Sequence, residues 1–263
     1  MRVAGLDIGS RTVKLVILNG TEVCEKRCLE TSARLAEQLR EILSGLSFDR
    51  LIATGYGRNL ARELFGAETL TEIKAHALGV RYLFPEVRTI LDIGGQDSKA
   101  IALAPDGRVL KFEMNDRCAA GTGRFLEVMA RVLGVSLEEL SEMALSADQA
   151  ARISALCTVF AESEVVGLIG RGEAPERIAR GIISSIVKRS LGLLRRVSPS
   201  PPLVFTGGVA RNRAVVRLLE EELGLPVLIP EDPRITGALG AALCGTSSSG
   251  SGPGKGTEKG LTG

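Results

Sequence analysis

Two aspartates stand at equivalent positions in two similar stretches of the chain, each just ahead of a glycine turn. Asp7 is followed by Gly9, and Asp92 is followed by Gly94 and Gly95. A glycine turn lets backbone N–H groups approach phosphate oxygens, because no side chain stands in the way. Two such turns on opposing surfaces would hold the phosphates of one nucleotide between them, which predicts a site for ATP or ADP.

Carboxylates beside phosphates require a cation, so Asp7 and Asp92 predict a Mg²⁺ ion that keeps several of its waters. Gln96 and Asp97 follow the second turn and are placed to orient a water at the terminal phosphate, which makes them the candidate catalytic residues. Arg11, within the first turn, either contacts phosphate or points to solvent. The remaining candidates for contact with phosphate lie on the two turns and the strand after the first: Gly9, Ser10, Thr12, Val13, Lys14, Gly94 and Gly95.

A third glycine segment, from Thr206 to Asn212, ends a short apolar strand and precedes a helical pattern. A double glycine that opens a helix is a usual cradle for the adenosine part of a nucleotide. We therefore expect Gly207, Gly208, Val209 and Asn212 to contact the nucleotide. A single Asp-x-Gly is often only a turn, whereas two copies in the same strand context, together with this third segment, favour ATP binding.

Two of the five cysteines, Cys118 and Cys157, each precede a predicted helix. A thiolate at a helix N-terminus is stabilised by exposed N–H groups, so both are candidate metal ligands. Two thiolates are half of what a [4Fe–4S] cluster requires, and a two-fold homodimer would supply the other half. The alternative is that both cysteines are structural, as isolated cysteines usually are. Gly121, close to Cys118, is a further candidate for contact with the nucleotide.

The elements that must position these residues form a weak internal repeat. Strand-like segments follow each aspartate turn, and Asn19-Gly20 and Asp106-Gly107 predict the second turn of each three-strand meander. Helical patterns follow both meanders, which indicates an α/β protein of two duplicated lobes. We assign the first lobe to residues 1–85 and the second to 86–235. A small-residue helix at 236–245 is expected to pack back on the first lobe, before a disordered tail at 246–263.

Local signals set the bounds of several elements. Thr31 or Ser32 can cap the helix that follows the first meander, and Ser136 opens a capping box. Pro175 is typical of the first turn of a long helix. The segment 226–229 is apolar and predicts a last strand.

Composition excludes several classes of protein. The chain has 263 residues, of which 44% are hydrophobic and 24% charged, so a large core can form. With 33 basic and 31 acidic residues, the net charge of +2 does not favour nucleic-acid binding. No apolar run is long enough for a membrane helix, and the N-terminus lacks the pattern of a signal peptide. We expect a cytoplasmic protein without disulfides.

Longer strings carry a family resemblance. The most specific run from Met114 to Phe125 and from Cys157 to Val165, and residues 5–10, 53–59, 92–99, 206–212 and 237–242 also match. The chain thereby resembles the ATP-dependent activators of 2-hydroxyacyl-CoA dehydratases and the ATPase subunits of benzoyl-CoA reductases, the BadF/BadG/BcrA/BcrD ATPase family. The resemblance implies an actin-like, ribonuclease H-like fold. It also implies one [4Fe–4S] cluster per homodimer, bound by Cys118 and Cys157 of both chains.

The same resemblance implies an activity. In the family, ATP hydrolysis changes the angle between helices that meet at the cluster, which drives an electron into a partner iron–sulfur enzyme; ferredoxin or flavodoxin supplies the electron. The expected partner is a 2-hydroxyacyl-CoA dehydratase, with a benzoyl-CoA reductase or a double-cubane cluster protein as the alternative. Two other classes stay open on the same fold: a small-molecule kinase with Asp92 or Asp97 as base, and an actin-like scaffold without a cluster.

Other residues with reactive side chains receive weaker interpretations. His76, the one histidine, lies on a predicted helix, and we expect it to pack or to act at a hinge. Cys24 and Cys28 are four positions apart on a predicted strand, which would place them on one face, but we expect no second cluster there. The sequence predicts no role for Cys244.

Overall fold

The computed structural model describes residues 1–155 and 157–247. Within these ranges a first sheet has the strand order β3-β2-β1-β4-β5. Its strands are β1 (Arg2–Ile8), β2 (Thr12–Asn19), β3 (Glu22–Glu30), β4 (Arg50–Gly55) and β5 (Glu68–Thr69). Strand β2 is antiparallel to β1 and β3, whereas β4 runs parallel to β1 and β5. The predicted first meander is confirmed.

A second sheet repeats the arrangement with the order β8-β7-β6-β9. Its strands are β6 (Thr89–Ile93), β7 (Ser98–Leu103), β8 (Val109–Asn115) and β9 (Leu203–Thr206). Strand β7 is antiparallel to β6 and β8, and β9 is parallel to β6, as β4 is to β1. The two hairpins predicted to contact phosphate, β1–β2 and β6–β7, are thus equivalent elements of the two sheets.

The strand expected at residues 226–229 does not form. Leu228 makes one parallel bridge to Val204, through its own N–H to Leu203 and its carbonyl to the N–H of Phe205. The donors two positions away on either side would be residues 226 and 230, and both are proline. Because proline has no N–H, the ladder cannot extend beyond this bridge.

Helices cover both sheets. They are α1 (Leu35–Leu43), α2 (Arg58–Phe65), α3 (Glu72–Leu83), α4 (Gly123–Leu133), α5 (Leu137–Ser146), α6 (Thr158–Gly170), α7 (Pro175–Val197), α8 (Arg213–Leu223) and α9 (Thr236–Ser247). One buried core joins the inner face of the second sheet to α4, α6, α7 and α8. Apolar residues of α7 recur at helical spacing in this core, as the sequence predicts: Ile178, Ile182, Ile186 and Leu193.

The starts that Ser136 and Pro175 predict for two helices are confirmed. Ser136 accepts a hydrogen bond from the N–H of Glu139, whose side chain accepts from the N–H of Ser136, and Pro175 is the first residue of α7. The predicted cap of α1 is wrong. Its N-cap residue is Arg34 without a side-chain hydrogen bond, because Ser32 accepts instead from the N–H of Arg34 in the preceding loop.

Helices α3 and α9 cross in contact at their backbones. A Cβ atom on Gly79 would overlap the carbonyl oxygen of Thr236, and one on Gly240 would overlap that of Ala75. Helix α9 packs on β1, β2 and β4 of the first sheet, whereas apolar residues of α3 also pack against the second sheet. Glycine at this crossing therefore lets α3 lie close enough to α9 to join the two sheets.

The last element that the structure describes is α9. It includes residues 246 and 247, which the sequence assigned to a disordered tail. The rest of that tail, 248–263, lies outside the described residues. Across the described ranges, no helix combines the length and the apolar character that a membrane crossing requires.

The α3–α9 crossing predicts a stability effect. Gly240→Ala would force a methyl group against the Ala75 carbonyl, so we expect a loss of about 1–3 kcal/mol in the free energy of unfolding. The measurement is urea denaturation followed by circular dichroism.

Gly192→Ala is the matched control. Gly192 lies in α7, where a Cβ atom would have no neighbour within 4 Å. Alanine there should raise the free energy of unfolding by about 0.5–1 kcal/mol, because it is the better helix former. Equal effects of the two substitutions would contradict the close crossing.

Candidate active site

A cleft of about 690 Å³ opens between the β1–β2 and β6–β7 hairpins. It adjoins a second cavity of about 570 Å³, since Arg11, Thr12, Gly94, Gly95 and Arg234 line both. Most of the predicted nucleotide residues line the cleft: Asp7, Gly9, Ser10, Arg11, Thr12, Lys14, Asp92, Gly94, Gly95, Gln96, Asp97 and Gly207. The second cavity adds three more: Gly208, Val209 and Asn212. The combined volume suits a nucleotide-sized ligand.

Two predicted residues line neither cavity. The side chain of Val13 is fully buried in the core of the first sheet. Gly121 is buried as well, with the Arg189 side chain next to it. Their assignment to the nucleotide stays a prediction.

The first hairpin pairs a carboxylate with a lysine. Asp7, at the end of β1, lies opposite Lys14 on β2, and Lys14 Nζ donates to Asp7 Oδ2 at 3.1 Å. Burial alone would lower the pKa of Lys14, but the Asp7 carboxylate outweighs it and leaves that pKa above its usual value. Gly9 closes the turn by donating to the carbonyl of Thr12 at 3.0 Å. A fixed positive charge therefore faces the cleft from this hairpin.

The second hairpin repeats the pair and extends it. Lys99 is seven residues after Asp92, as Lys14 is after Asp7, and the two lie opposite each other in β6 and β7. The Lys99 ammonium is 3.4 Å from Asp92, 2.5 Å from Asp97 and 2.8 Å from Glu72 of α3. Its side chain is only 3% exposed. Burial would lower the pKa of Lys99, but these three carboxylates raise it well above the usual value.

Sequence reasoning assigned no role to Lys99 or Glu72. The equal spacing of aspartate and lysine in the two hairpins was the signal that could have identified Lys99. Glu72 gave no such signal, because it reaches the hairpin from a distant part of the chain.

Asp92 is a fully enclosed anion. Its Oδ1 accepts from the hydroxyl of Thr206 at 2.9 Å and lies 3.6 Å from His76 Nδ1. Burial opposes ionisation, but the nearby His76 ring and Lys99 ammonium lower the pKa of Asp92 to about 2. His76 Nδ1 also lies 3.1 Å from the hydroxyl of Thr236, at the start of α9. His76 thus packs between the second hairpin and α9, where the two sheets meet.

Arg11 spans the mouth of the cleft. Its Nη2 donates to Glu127 Oε1 of α4 at 2.8 Å, and its aliphatic stem packs on Gly95, where a Cβ atom would overlap it. The side chain is 46% exposed. The guanidinium forms an ion pair with Glu127, and its contact with phosphate stays a prediction.

The second hairpin is hydrogen-bonded to a helix start. The N–H groups of Gly123 and Arg124 donate to the carbonyls of Gly94 and Gly95, both at 2.9 Å. The first N–H groups of a helix have no partner within the helix, so these bonds attach α4 to the hairpin. A displacement of the hairpin would therefore be passed to α4.

The Gly207 segment forms a tight turn. Gly207 has a φ of 87°, and a Cβ atom there would overlap the backbone of Ile93. A 3-10 turn follows at Gly208–Arg211, and the side chain of Asn212 then caps α8 by accepting from the N–H of Val215 at 3.0 Å. The predicted helix start is thus confirmed, with the amide oxygen of Asn212 engaged in the cap.

Cys118 and Cys157 are both exposed free thiols. Cys157 is the N-cap residue of α6, as predicted. Cys118 is not at a helix start, because the N-cap residue of α4 is Thr122 and the intervening loop is bonded to Asn115. Among the described residues, no group of three or more His, Cys, Asp or Glu side chains could hold a metal ion within this single chain.

Known proteins share both this geometry and the sequence that forms it. The chain matches the BadF/BadG/BcrA/BcrD ATPase family over residues 4–245. It is 40% identical over 252 residues to the 2-hydroxyisocaproyl-CoA dehydratase activator of Clostridioides difficile, covering 92% of this chain and 94% of the relative. It is 34% identical over 262 residues to a benzoyl-CoA reductase subunit of Thauera aromatica, covering 92% of both.

Two solved structures are similar to this chain over most of its length. The activator of the 2-hydroxyisocaproyl-CoA dehydratase from Clostridium difficile with bound ADPNP superposes with a TM-score of 0.84, covering 94% of this chain and 95% of that one. Component A of the Acidaminococcus fermentans (R)-2-hydroxyglutaryl-CoA dehydratase superposes with a TM-score of 0.87 at 38% identity, covering 94% and 98%. The paired sheets, the two aspartate hairpins and these matches together show that the chain has the actin-like fold and belongs to the BadF/BadG/BcrA/BcrD ATPase family.

Proposed function

We propose that this protein is a homodimeric ATPase that couples ATP hydrolysis to the transfer of single low-potential electrons to a partner iron–sulfur enzyme. The observation that carries the proposal is the attachment of α4 to the carbonyls of Gly94 and Gly95. That bond pair connects the proposed phosphate side of the cleft to α4, the helix that follows the Cys118 loop. A change at the terminal phosphate would thereby reach a candidate cluster ligand.

The cleft supports a specific placement of ATP. We place the phosphates between the two hairpins, where Lys14 and backbone N–H groups can balance their charge. The adenosine part would occupy the second cavity beside Gly208 and Val209. Asp7 and Asp92 both line the cleft, and we propose that their carboxylates hold the waters of a bound Mg²⁺.

Gln96 and Asp97 are our candidates for orienting the attacking water. Gln96 is exposed and lines the cleft beside Gly95. The carboxylate of Asp97 is paired with the Lys99 ammonium, which holds it near the turn. Asp97 can therefore accept a hydrogen bond from water, while the Gln96 amide directs it.

The cysteines fit a shared cluster by the chemistry of their donors. Cys118 and Cys157 offer two exposed thiols per chain, on segments connected to the same buried core. A [4Fe–4S] cluster bound by both pairs of a homodimer would store and release one electron at a time. The apolar side chains of Val159 and Phe160 are 65% and 69% exposed next to Cys157, which supports burial of this surface by a second chain.

The relatives' names guide the choice of partner. Two relatives described above are activators of 2-hydroxyacyl-CoA dehydratases, so a dehydratase of this class is the partner we propose, with ferredoxin or flavodoxin as electron donor. The likeness to a benzoyl-CoA reductase component keeps a reductase of that kind, or a double-cubane cluster protein, as the second candidate. A small-molecule kinase or a scaffold would not require the two exposed cysteines.

The proposed water-orienting role predicts a hydrolysis defect. Gln96→Ala and Asp97→Asn should each lower the rate of ATP hydrolysis about a hundredfold, because the attacking water loses a directing group. Nucleotide affinity should change little. The measurements are phosphate release and binding of a fluorescent ATP analogue.

Gln149→Ala serves as the control, since Gln149 is exposed and lines neither cavity. An unchanged hydrolysis rate in both cleft variants would exclude the assigned roles.

The cluster ligands predict iron content. Anaerobically purified protein should contain about four irons and four sulfides per dimer, and Cys118→Ser or Cys157→Ser should lose most of both. Cys24→Ser, which changes another exposed thiol, should retain them. Iron and sulfide assays with a visible spectrum test this.

Cys118→Ser and Cys157→Ser should elute as monomers on gel filtration, because the cluster would form part of the dimer interface. A colourless wild-type protein that still hydrolyses ATP would contradict the electron-transfer proposal.

A further inference from the structure

We propose that Arg189 is the positioning residue that keeps the Cys118 and Cys157 segments at the spacing one cluster needs. The inference rests on the proposed function and adds a residue of α7, an element that carries none of the sites considered above. Arg189 contacts both cysteine segments at once.

On one side, Arg189 is bonded to the segment before Cys157. Its Nη2 donates to the carbonyl of Ala155 at 2.9 Å. Its Nη1 donates to the carbonyl of Ser185, one turn earlier in α7, at 3.0 Å, and also contacts the Ser185 hydroxyl. The guanidinium therefore has a fixed orientation, and it ties the backbone two residues before Cys157 to α7.

On the other side, Arg189 packs against the segment after Cys118. A Cβ atom on Gly121 would lie 3.2 Å from Arg189 Cδ, and Gly121 has a φ of 90°. The guanidinium also lies over the ring of Phe125 in α4, at 5.3 Å from its centroid. Burial lowers the pKa of Arg189.

Each cysteine segment is also fixed locally. Asn115 donates from its side-chain amide to the carbonyls of Cys118 and Ala120, at 2.9 and 3.1 Å. Glu164 of α6 accepts from the N–H groups of Ser154 and Ala155, both at 2.9 Å from its Oε2. These bonds attach one segment to β8 and the other to α6. Arg189 then relates the two segments to each other.

Two physical consequences can be separated. The two-pronged guanidinium sets geometry, because its hydrogen bond to Ala155 and its packing on Gly121 act in fixed directions. Its positive charge, on a side chain that packs against Gly121 three residues after Cys118, favours a more negative cluster, which raises the reduction potential. Arg189→Lys keeps the charge and loses the fixed fork, whereas Arg189→Met loses both.

The experiment uses the anaerobically purified homodimer. Wild type, Arg189→Met, Arg189→Lys and the control Lys188→Gln, an exposed cation one position away on α7, are compared. The readouts are iron and sulfide per dimer, the rate of iron release to a chelator, and the reduction potential from an EPR-monitored titration. ATP hydrolysis without any partner enzyme reports on folding.

We expect iron release at least tenfold faster in both Arg189 variants and a lowered potential in Arg189→Met alone. Lys188→Gln should match wild type. Wild-type iron release and potential in a folded Arg189→Met would overturn the positioning role and leave the proposed function intact. Should Arg189→Met fail to fold, unaltered iron release in Arg189→Lys would overturn it. A wild-type protein without iron would overturn the proposed function, and this role with it.

Discussion

The arrangement of the cleft depends on the ion pairs that the buried ammonium of Lys99 forms. An ammonium with 3% exposure has lost nearly all its water, so it requires carboxylates close by. Asp92 and Asp97 supply them from the second hairpin, and Glu72 supplies one from α3. One side chain thereby contacts β6, the turn after it and α3 at the same time.

From this hairpin a chain of contacts leads to both cysteines. The turn carbonyls of Gly94 and Gly95 accept from the first N–H groups of α4, so the helix is attached to the hairpin at its start. Phe125 of α4 lies under the Arg189 guanidinium, which donates to the carbonyl of Ala155. The turn of the second hairpin and the Cys157 segment are thus connected through hydrogen bonds and a packed ring.

The sequence predicts the parts of this arrangement that are local. The repeat predicts both hairpins, and the Ser136 capping box and Pro175 appear where their neighbours in sequence indicate. The features that the sequence does not predict depend on contacts between residues distant in sequence or on missing hydrogen-bond donors. Cys118 does not lie at the start of α4, because Thr122 is the N-cap residue of that helix. Prolines on both sides of Leu228 prevent the expected strand. The contact of Glu72 with Lys99 cannot be predicted from the sequence, because it forms only when α3 packs beside the second hairpin.

The packing also bears on which parts would move together. Helices α4, α6 and α7 share one buried core with the second sheet, so both cysteine segments belong to the same packed unit. The first hairpin meets that unit across the cleft through the ion pair of Arg11 with Glu127. Helix α3, which crosses α9, meets it through the ion pair of Glu72 with Lys99 and through apolar packing on the second sheet. A nucleotide that alters the cleft would act on these joints before it could deform a close-packed core. In a homodimer, rotation of each unit as a whole would then change the angle between the two α6 helices while each chain keeps its own pair of cysteines at constant spacing. In the role that we propose for Arg189, its contacts with both segments contribute to this constant spacing.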